Sequence, residues 1–266
     1  MWQILRHGIA VAAVLTGAAL PAPAAAQDFA RHLAGIDAAF VLRNGATGET
    51  VRHAPKHAAK RFAPCSTFKI PNTAILLETG AAADLDAVVP YDPALKIANP
   101  AWARNLSLRE AYRESALWVY RALSRKVEMA AIRRVLAAMD YGDGRTGKSI
   151  RDRPFWVDGT LKISADEQVA FLQRLHQGKA GLSERTARLT REAMVAEENP
   201  RWRLSAKTGS CRADGGGVNL WYVGYVERAD TTHYFALHMS AADYQPLMDR
   251  RVPIARAILA DLDVID

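Results

Sequence analysis

The sequence predicts an α+β protein in which an antiparallel sheet is assembled from distant segments and a helical lobe is inserted between them. Strand-like segments occupy both ends of the chain, the middle reads as helices, and a final helix closes the C-terminus. The chain has 266 residues, 50% of them hydrophobic and 24% charged, with 12 Pro and 2 Cys. That composition fits a globular protein with a large core and excludes a disulfide-dense scaffold, a collagen and a disordered tail.

The first 26 residues are read as a secretory leader rather than as part of the fold. Arg6 precedes an apolar run from Gly8 to Leu20, and Ala24-Ala25-Ala26 supplies a small-residue cleavage site before Gln27. A membrane anchor is the competing reading, but about 13 apolar residues at ~1.5 Å each fall short of the ~30 Å hydrocarbon layer. Residues 27–266 are then expected to form one catalytic domain, periplasmic or secreted, with no membrane anchor after cleavage. In such an oxidising compartment the two cysteines, Cys65 and Cys211, can pair.

AAFVLRNGATGETVRHA reads as a hairpin turning at Asn44 to Gly48. The helical lobe is expected over about residues 72–196. Ser107 to Glu110 is a capping box opening a helix. Val127, Ala131, Val135 and Ala138 recur at helical spacing until Tyr141-Gly142 stops them. Ser164 to Glu167 is a second capping box, whose helix runs through Val169, Leu172 and Leu175 to Gly178. Beyond Pro200, RWRLSAKTG, VNLWYVGYVER and THYFALHMS read as three antiparallel strands, followed by a helix from about Leu247 to Leu262.

The net charge of +7 raises the question of nucleic acid, and the distribution answers it. Acids are interleaved with bases throughout, as in SLREAYRE and SERTARLTREAMVAEE, so the charges read as solvated faces and no nucleic-acid partner is expected. The 7 His show neither H-x-x-x-H nor paired-Cys spacing, so no metal is expected.

Two motifs carry chemistry. In Ser66-Thr67-Phe68-Lys69 the i, i+3 spacing puts hydroxyl and amine side by side on a helix, so the amine can take the hydroxyl proton. S-x-x-K arises by chance about once in a chain of this length, and alone it reads equally well as a helix start with a surface lysine. Its setting among Phe68, Ile70, Ile75, Leu76 and Leu77 favours a neutral amine, which is what a base requires. Lys207-Thr208-Gly209 ends a strand-like segment, where the glycine lets a backbone or ligand approach and Lys plus Thr can bind a carboxylate. Together, in this order, they form the combination of penicillin-binding proteins and β-lactamases.

Over nearly the whole mature length the chain resembles the class D, oxacillinase-type serine β-lactamases. RFAPCSTFKIPNT, SLREAYRESALWVY, MDYGDG, FWVDG, ISADEQ, AKTG, WYVGYVE and RVPIARAIL occur in that family's order. The resemblance implies a three-layer α/β fold: an antiparallel sheet flanked by N- and C-terminal helices, with the all-helical lobe inserted. It implies hydrolysis of the β-lactam amide of penicillin-type antibiotics, giving resistance, with a small-molecule β-lactam as substrate and either a monomer or a homodimer. Ser66 would be the nucleophile and Lys69 the base, N-carboxylated by CO2, with no other cofactor. Trp156 would hydrogen-bond the carbamate, its other reading being core packing. Ser115 would pass a proton to the β-lactam nitrogen with Lys207 behind it, and the N–H groups of Ser66 and Ser210 would form the oxyanion hole. Thr208 and Arg251, with Arg250 adjacent as the alternative, would hold the substrate carboxylate. Trp102, Leu117 and the stretch from Ser210 to Ala213 would border the substrate.

The sequence departs from the family at Leu117, where valine is usual, and at Asp143, where asparagine is usual. In that fold Cys65 and Cys211 lie on neighbouring segments of the cleft, which suggests a Cys65–Cys211 disulfide against the alternative of two buried thiols. A β-lactam sensor or a penicillin-binding transpeptidase, which acylates but deacylates poorly, is the competing function.

Overall fold

The computed structural model describes residues 29–97, 99–148, 150, 154–245 and 247–266. The leader expected over residues 1–26 lies outside them. A 3-10 turn at Phe29–Leu33 leads into β1 (Asp37–Asn44) and β2 (Thr50–His53), the expected hairpin. Asn44 Oδ1 accepts the N–H groups of Ala46 and Thr47 and so fixes the bend. After α1 (Pro55–Ala58), a 3-10 turn at Cys65–Phe68 runs into α2 (Lys69–Glu78), and β3 (Val88–Val89) pairs with β4 (Leu106–Ser107). The lobe continues through α3 (Leu108–Arg113), α4 (Leu117–Ser124), α5 (Met129–Ala138), α6 (Ala165–His176) and α7 (Glu184–Met194). The chain closes with β5 (Val195–Glu198), β6 (Trp202–Arg212), β7 (Val218–Arg228), β8 (Thr232–Ala241) and α8 (Leu247–Asp261).

Both capping boxes form with reciprocal bonds: Ser107 with Glu110 opens α3, and Ser164 with Glu167 opens α6. The helical run ends at Ala138, before the expected Tyr141-Gly142, because Asp140 turns the chain out of the helix at φ +50°; Gly142, at φ +59° against the Lys162 carbonyl, leaves no room for a side chain. The helical lobe ends slightly earlier than expected. Val195–Glu198 is an edge strand, because its backbone pairs antiparallel with β6, Val195 opposite Ser205.

The six strands pair antiparallel in the order β2-β1-β8-β7-β6-β5, joining the two ends of the chain in one sheet. One face packs on the helical lobe through a core containing Phe68, Tyr120, Trp156, Phe171 and Trp221. The other face packs on α8 and the leading 3-10 turn through Phe40, Leu220, Phe235, Ile258 and Leu259. Burial on both faces explains why β7 reads as a nearly continuous apolar run.

Candidate active site

The lobe and the sheet meet at the Cys65–Phe68 turn. Cys65 adopts φ +54°, and its N–H donates to the Trp156 carbonyl at 3.0 Å. Thr67 donates to the Pro64 carbonyl through its N–H at 3.1 Å and its hydroxyl at 2.7 Å, and accepts from Gln168 Nε2 at 2.9 Å. This web fixes the turn around Ser66, which is half-buried between buried neighbours. Lys69 begins α2, and its Nζ lies 3.2 Å from Ser66 Oγ. Only 1% of Lys69 is exposed, and Nζ stands 5.2 Å from the centre of the Tyr120 ring. Burial pushes the Lys69 amine well below its ordinary range, and the charge of Lys207 adds to the effect.

Strand β6 forms the opposite wall. Gly209 passes so close to the turn that a Cβ there would stand 3.0 Å from the Pro64 carbonyl oxygen and 3.1 Å from Thr67 N. Two positions on, Cys211 is disulfide-bonded to Cys65, with Cα atoms 5.4 Å apart, so strand and turn are covalently joined. The Lys207 amine is buried and donates to the Thr208 carbonyl at 3.1 Å and to Thr208 Oγ1 at 3.3 Å. Burial and then the charge of Arg251 lower it to about 7. Arg251, in the first turns of α8, is half-buried and donates to the Met248 carbonyl, while its buried Nε has no partner among the described residues. Burial lowers Arg251 as well. Neighbouring Arg250 is exposed, so of the two arginines Arg251 is the one directed inward.

Ser115 sits in the turn between α3 and α4 at φ +60°, with its buried Oγ free of any partner among the described residues. No hydrogen bond links it to Lys207, whose donors go to Thr208. Trp156 is 2% exposed and stacks on Phe68, ring centroids 5.0 Å apart and planes 19° apart. Ser210 is half-buried on β6, opposite Leu220 of β7. Trp102 is half-buried at the end of a short 3-10 turn, its carbonyl accepting from Trp118 Nε1 at 3.1 Å, and Leu117 opens α4 packed against the lobe core. Asp143 accepts the N–H groups of Arg145 and Lys162, so its carboxylate pins a loop, a task for which a side-chain amide oxygen has the same acceptor capacity.

Two aromatic residues escape a reading of the sequence. Tyr112 places its ring 5.8 Å from Lys207 Nζ, and Tyr120 covers Lys69 while its hydroxyl meets Thr73 Oγ1 at 2.8 Å. The one sequence signal is spacing: Thr73 lies one helical turn beyond Lys69, and Tyr120 one turn beyond Leu117.

Comparison with known proteins agrees with this arrangement. The penicillin binding protein transpeptidase domain family matches residues 38–260. Beta-lactamase OXA-3 of Pseudomonas aeruginosa is 34% identical over 206 residues, covering 77% of this chain and 72% of that protein. Beta-lactamase OXA-48 of Klebsiella pneumoniae is 36% identical over 185 residues, covering 69% and 68%. Among solved structures, the class D β-lactamase YbXI from Nostoc matches with a TM-score of 0.84 at 28% identity, covering 90% of this chain and 99% of that one. FUS-1 (OXA-85), a class D β-lactamase from Fusobacterium nucleatum subsp. polymorphum, matches with a TM-score of 0.83 at 29% identity, covering 87% and 95%.

The chain belongs to the class D serine β-lactamase family. Its fold is that of the serine β-lactamases and penicillin-binding transpeptidases, and its chemistry is hydrolysis of β-lactams. In this class D enzyme the two motifs that stand ~140 residues apart in sequence become the two walls of one cleft.

Proposed function

We propose that Ser66 opens the β-lactam ring and that Lys69 is its base. The observation that carries the proposal is the 3.2 Å approach of Lys69 Nζ to Ser66 Oγ, by an amine whose charge burial disfavours. A neutral amine takes the hydroxyl proton as Oγ attacks the ring carbonyl. The N–H groups of Ser66 and Ser210 receive the developing oxyanion, and Ser115 delivers a proton to the departing nitrogen with Lys207 behind it. Thr208 and Arg251 hold the substrate carboxylate, consistent with the inward guanidinium and its spare buried donor at Nε. Trp102 and Leu117 border the bound drug.

The Lys69 environment fits N-carboxylation, because only a neutral amine adds CO2. The carbamate would supply a stronger base for the water that hydrolyses the acyl-enzyme, with Trp156 as its hydrogen-bond donor. The leader-like N-terminus and the disulfide support a periplasmic or secreted enzyme that confers resistance.

The test is turnover of a chromogenic cephalosporin by the purified mature protein, with and without bicarbonate. Multiple turnovers that accelerate with bicarbonate are expected. One stoichiometric burst followed by silence would instead identify a sensor or transpeptidase.

A further inference from the structure

Behind the disulfide lies an ordered polar chain that the hydrolytic machinery does not use. His57 Nδ1, on α1, stands 3.0 Å from Asp37 Oδ1 on β1. His57 Nε2 stands 2.8 Å from His238 Nδ1 on β8, and His238 Nε2 stands 3.2 Å from Asn219 Oδ1 on β7. The Asp37 end is open, its side chain 71% exposed, beside a cavity of about 620 Å³ bordered by His53, Lys56 and His57. The inner end is closed: His238 is 1% exposed, stacked on Phe62 at 3.9 Å and against Trp221 at 4.3 Å. The charged and titratable groups that face the two rings are Asp37 from β1, His53 from β2 and Lys60 from the segment after α1.

Proton counting decides what this chain does. Neither Asp37 Oδ1 nor Asn219 Oδ1 carries a hydrogen, so three hydrogen bonds need three protons from two rings, and two neutral imidazoles hold only two. The third makes an imidazolium. It is placed on His57, whose Nδ1 faces the Asp37 carboxylate, because His238 is surrounded by apolar rings with Lys60 and His57 nearby. With His57 charged, its two N–H groups donate outward to Asp37 and inward to His238 Nδ1. Neutral His238 then donates from Nε2 to Asn219 Oδ1. When His57 is neutral, its Nε2 is an acceptor, and His238 must carry its hydrogen on Nδ1. The bare His238 Nε2 is satisfied only if Asn219 turns its amide to donate from Nδ2.

We propose that Asp37, His57, His238 and Asn219 form a proton-operated switch. The two states differ in the proton on His57, the tautomer of His238 and a half-turn of the Asn219 amide, and in both of them His238 is neutral. Between the two states one proton is gained in all: the hydrogen between the rings belongs to His238 in the neutral state and to His57 in the charged one, where His238 holds its own on Nε2. The amide turn happens next to the catalytic wall, since Asn219 pairs with Cys211 and its backbone carbonyl lies 4.0 Å from Cys65 Sγ.

The experiment is nitrogen-resolved histidine NMR on the full chain from about pH 5 to pH 8. His57 is expected to titrate while His238 stays neutral and exchanges its protonated nitrogen at the same midpoint. Asp37→Asn, at an exposed position, should move both midpoints together. The proposal is overturned if His238 keeps one tautomer throughout, becomes a cation together with His57, or changes at a midpoint that Asp37→Asn leaves in place.

Discussion

Lys69, Lys207 and Arg251 stand in line across the cleft, each disfavouring the charge of the next. With Lys207 brought to about 7, kcat/KM should inflect near pH 7, because that ratio reports groups of the free enzyme. Arg251→Ala removes a neighbouring positive charge, so the Lys207 amine should rise and the inflection move to higher pH. The same variant loses a charge-assisted clamp on the substrate carboxylate, and KM should rise about tenfold or more. A pH profile with an unmoved midpoint would separate Lys207 from Arg251. Lys69→Ala should cut kcat by about 10²-fold to 10⁴-fold with unchanged circular dichroism, the loss expected of a missing general base. Ser66 and Lys69 are legible in the sequence because their relation is local, one helical turn. Tyr112 and Tyr120 are not, since what sets their rings beside the lysines is the packing of α3 and α4 on β6 and α2. Between Arg250 and Arg251 only burial discriminates, and burial of adjacent helical residues depends on how α8 lies on the sheet.

At the scale of elements, the site depends on how closely β6 approaches the nucleophile turn. Gly209→Ala should push turn and strand apart by a few tenths of an ångström, since two of the three near atoms belong to backbone and the third is Thr67 Cγ2. The expected signature is a fall in acylation rate, read by stopped flow, with thermal unfolding little changed. Retention of full acylation would show that the contact does not set the position of Ser66. The disulfide closes a separation of 146 residues, and constraint of the unfolded chain on that scale stabilises by about 2–5 kcal/mol. Cys211→Ser, or reduction, should therefore lower Tm by several degrees, and the oxidised protein should show no alkylatable thiol. The hairpin and both capping boxes are legible because side chains within four residues decide them. Strand β5 is not: VAEE follows α7 without a breaker, and only pairing with β6 makes it extended.

Across the whole molecule, the buried titratable groups bias stability towards alkaline pH. Glu227, held low by the hydrogen bond from His176, contributes stability that is lost as pH falls below the ordinary carboxylate range. His238, kept neutral by burial, adds a loss below its ordinary value of 6.5, because the unfolded imidazole binds protons that the folded one refuses. Lys207 extends the trend upward: unfolded, it keeps its proton to about 10.5, whereas folded it gives it up near 7, so stability rises with pH across that interval. Buried tyrosines set the upper limit. Tyr222 and Tyr234 are pushed up to about 12 by burial, so above pH 10 the unfolded phenols ionise first and stability falls again. The urea midpoint should thus climb from pH 6 to about pH 9 and decline past about pH 10. Lys207→Met keeps the side-chain volume, removes the amine and should lessen the rise between pH 7 and pH 9, the remainder belonging to buried Lys69, while leaving the acid limb in place. The variant should also be the more stable protein at pH 6, since an enzyme that buries an amine for chemistry gives up stability to do so. An unchanged slope in Lys207→Met would assign the rise to other groups and leave the Lys207 amine at its ordinary value.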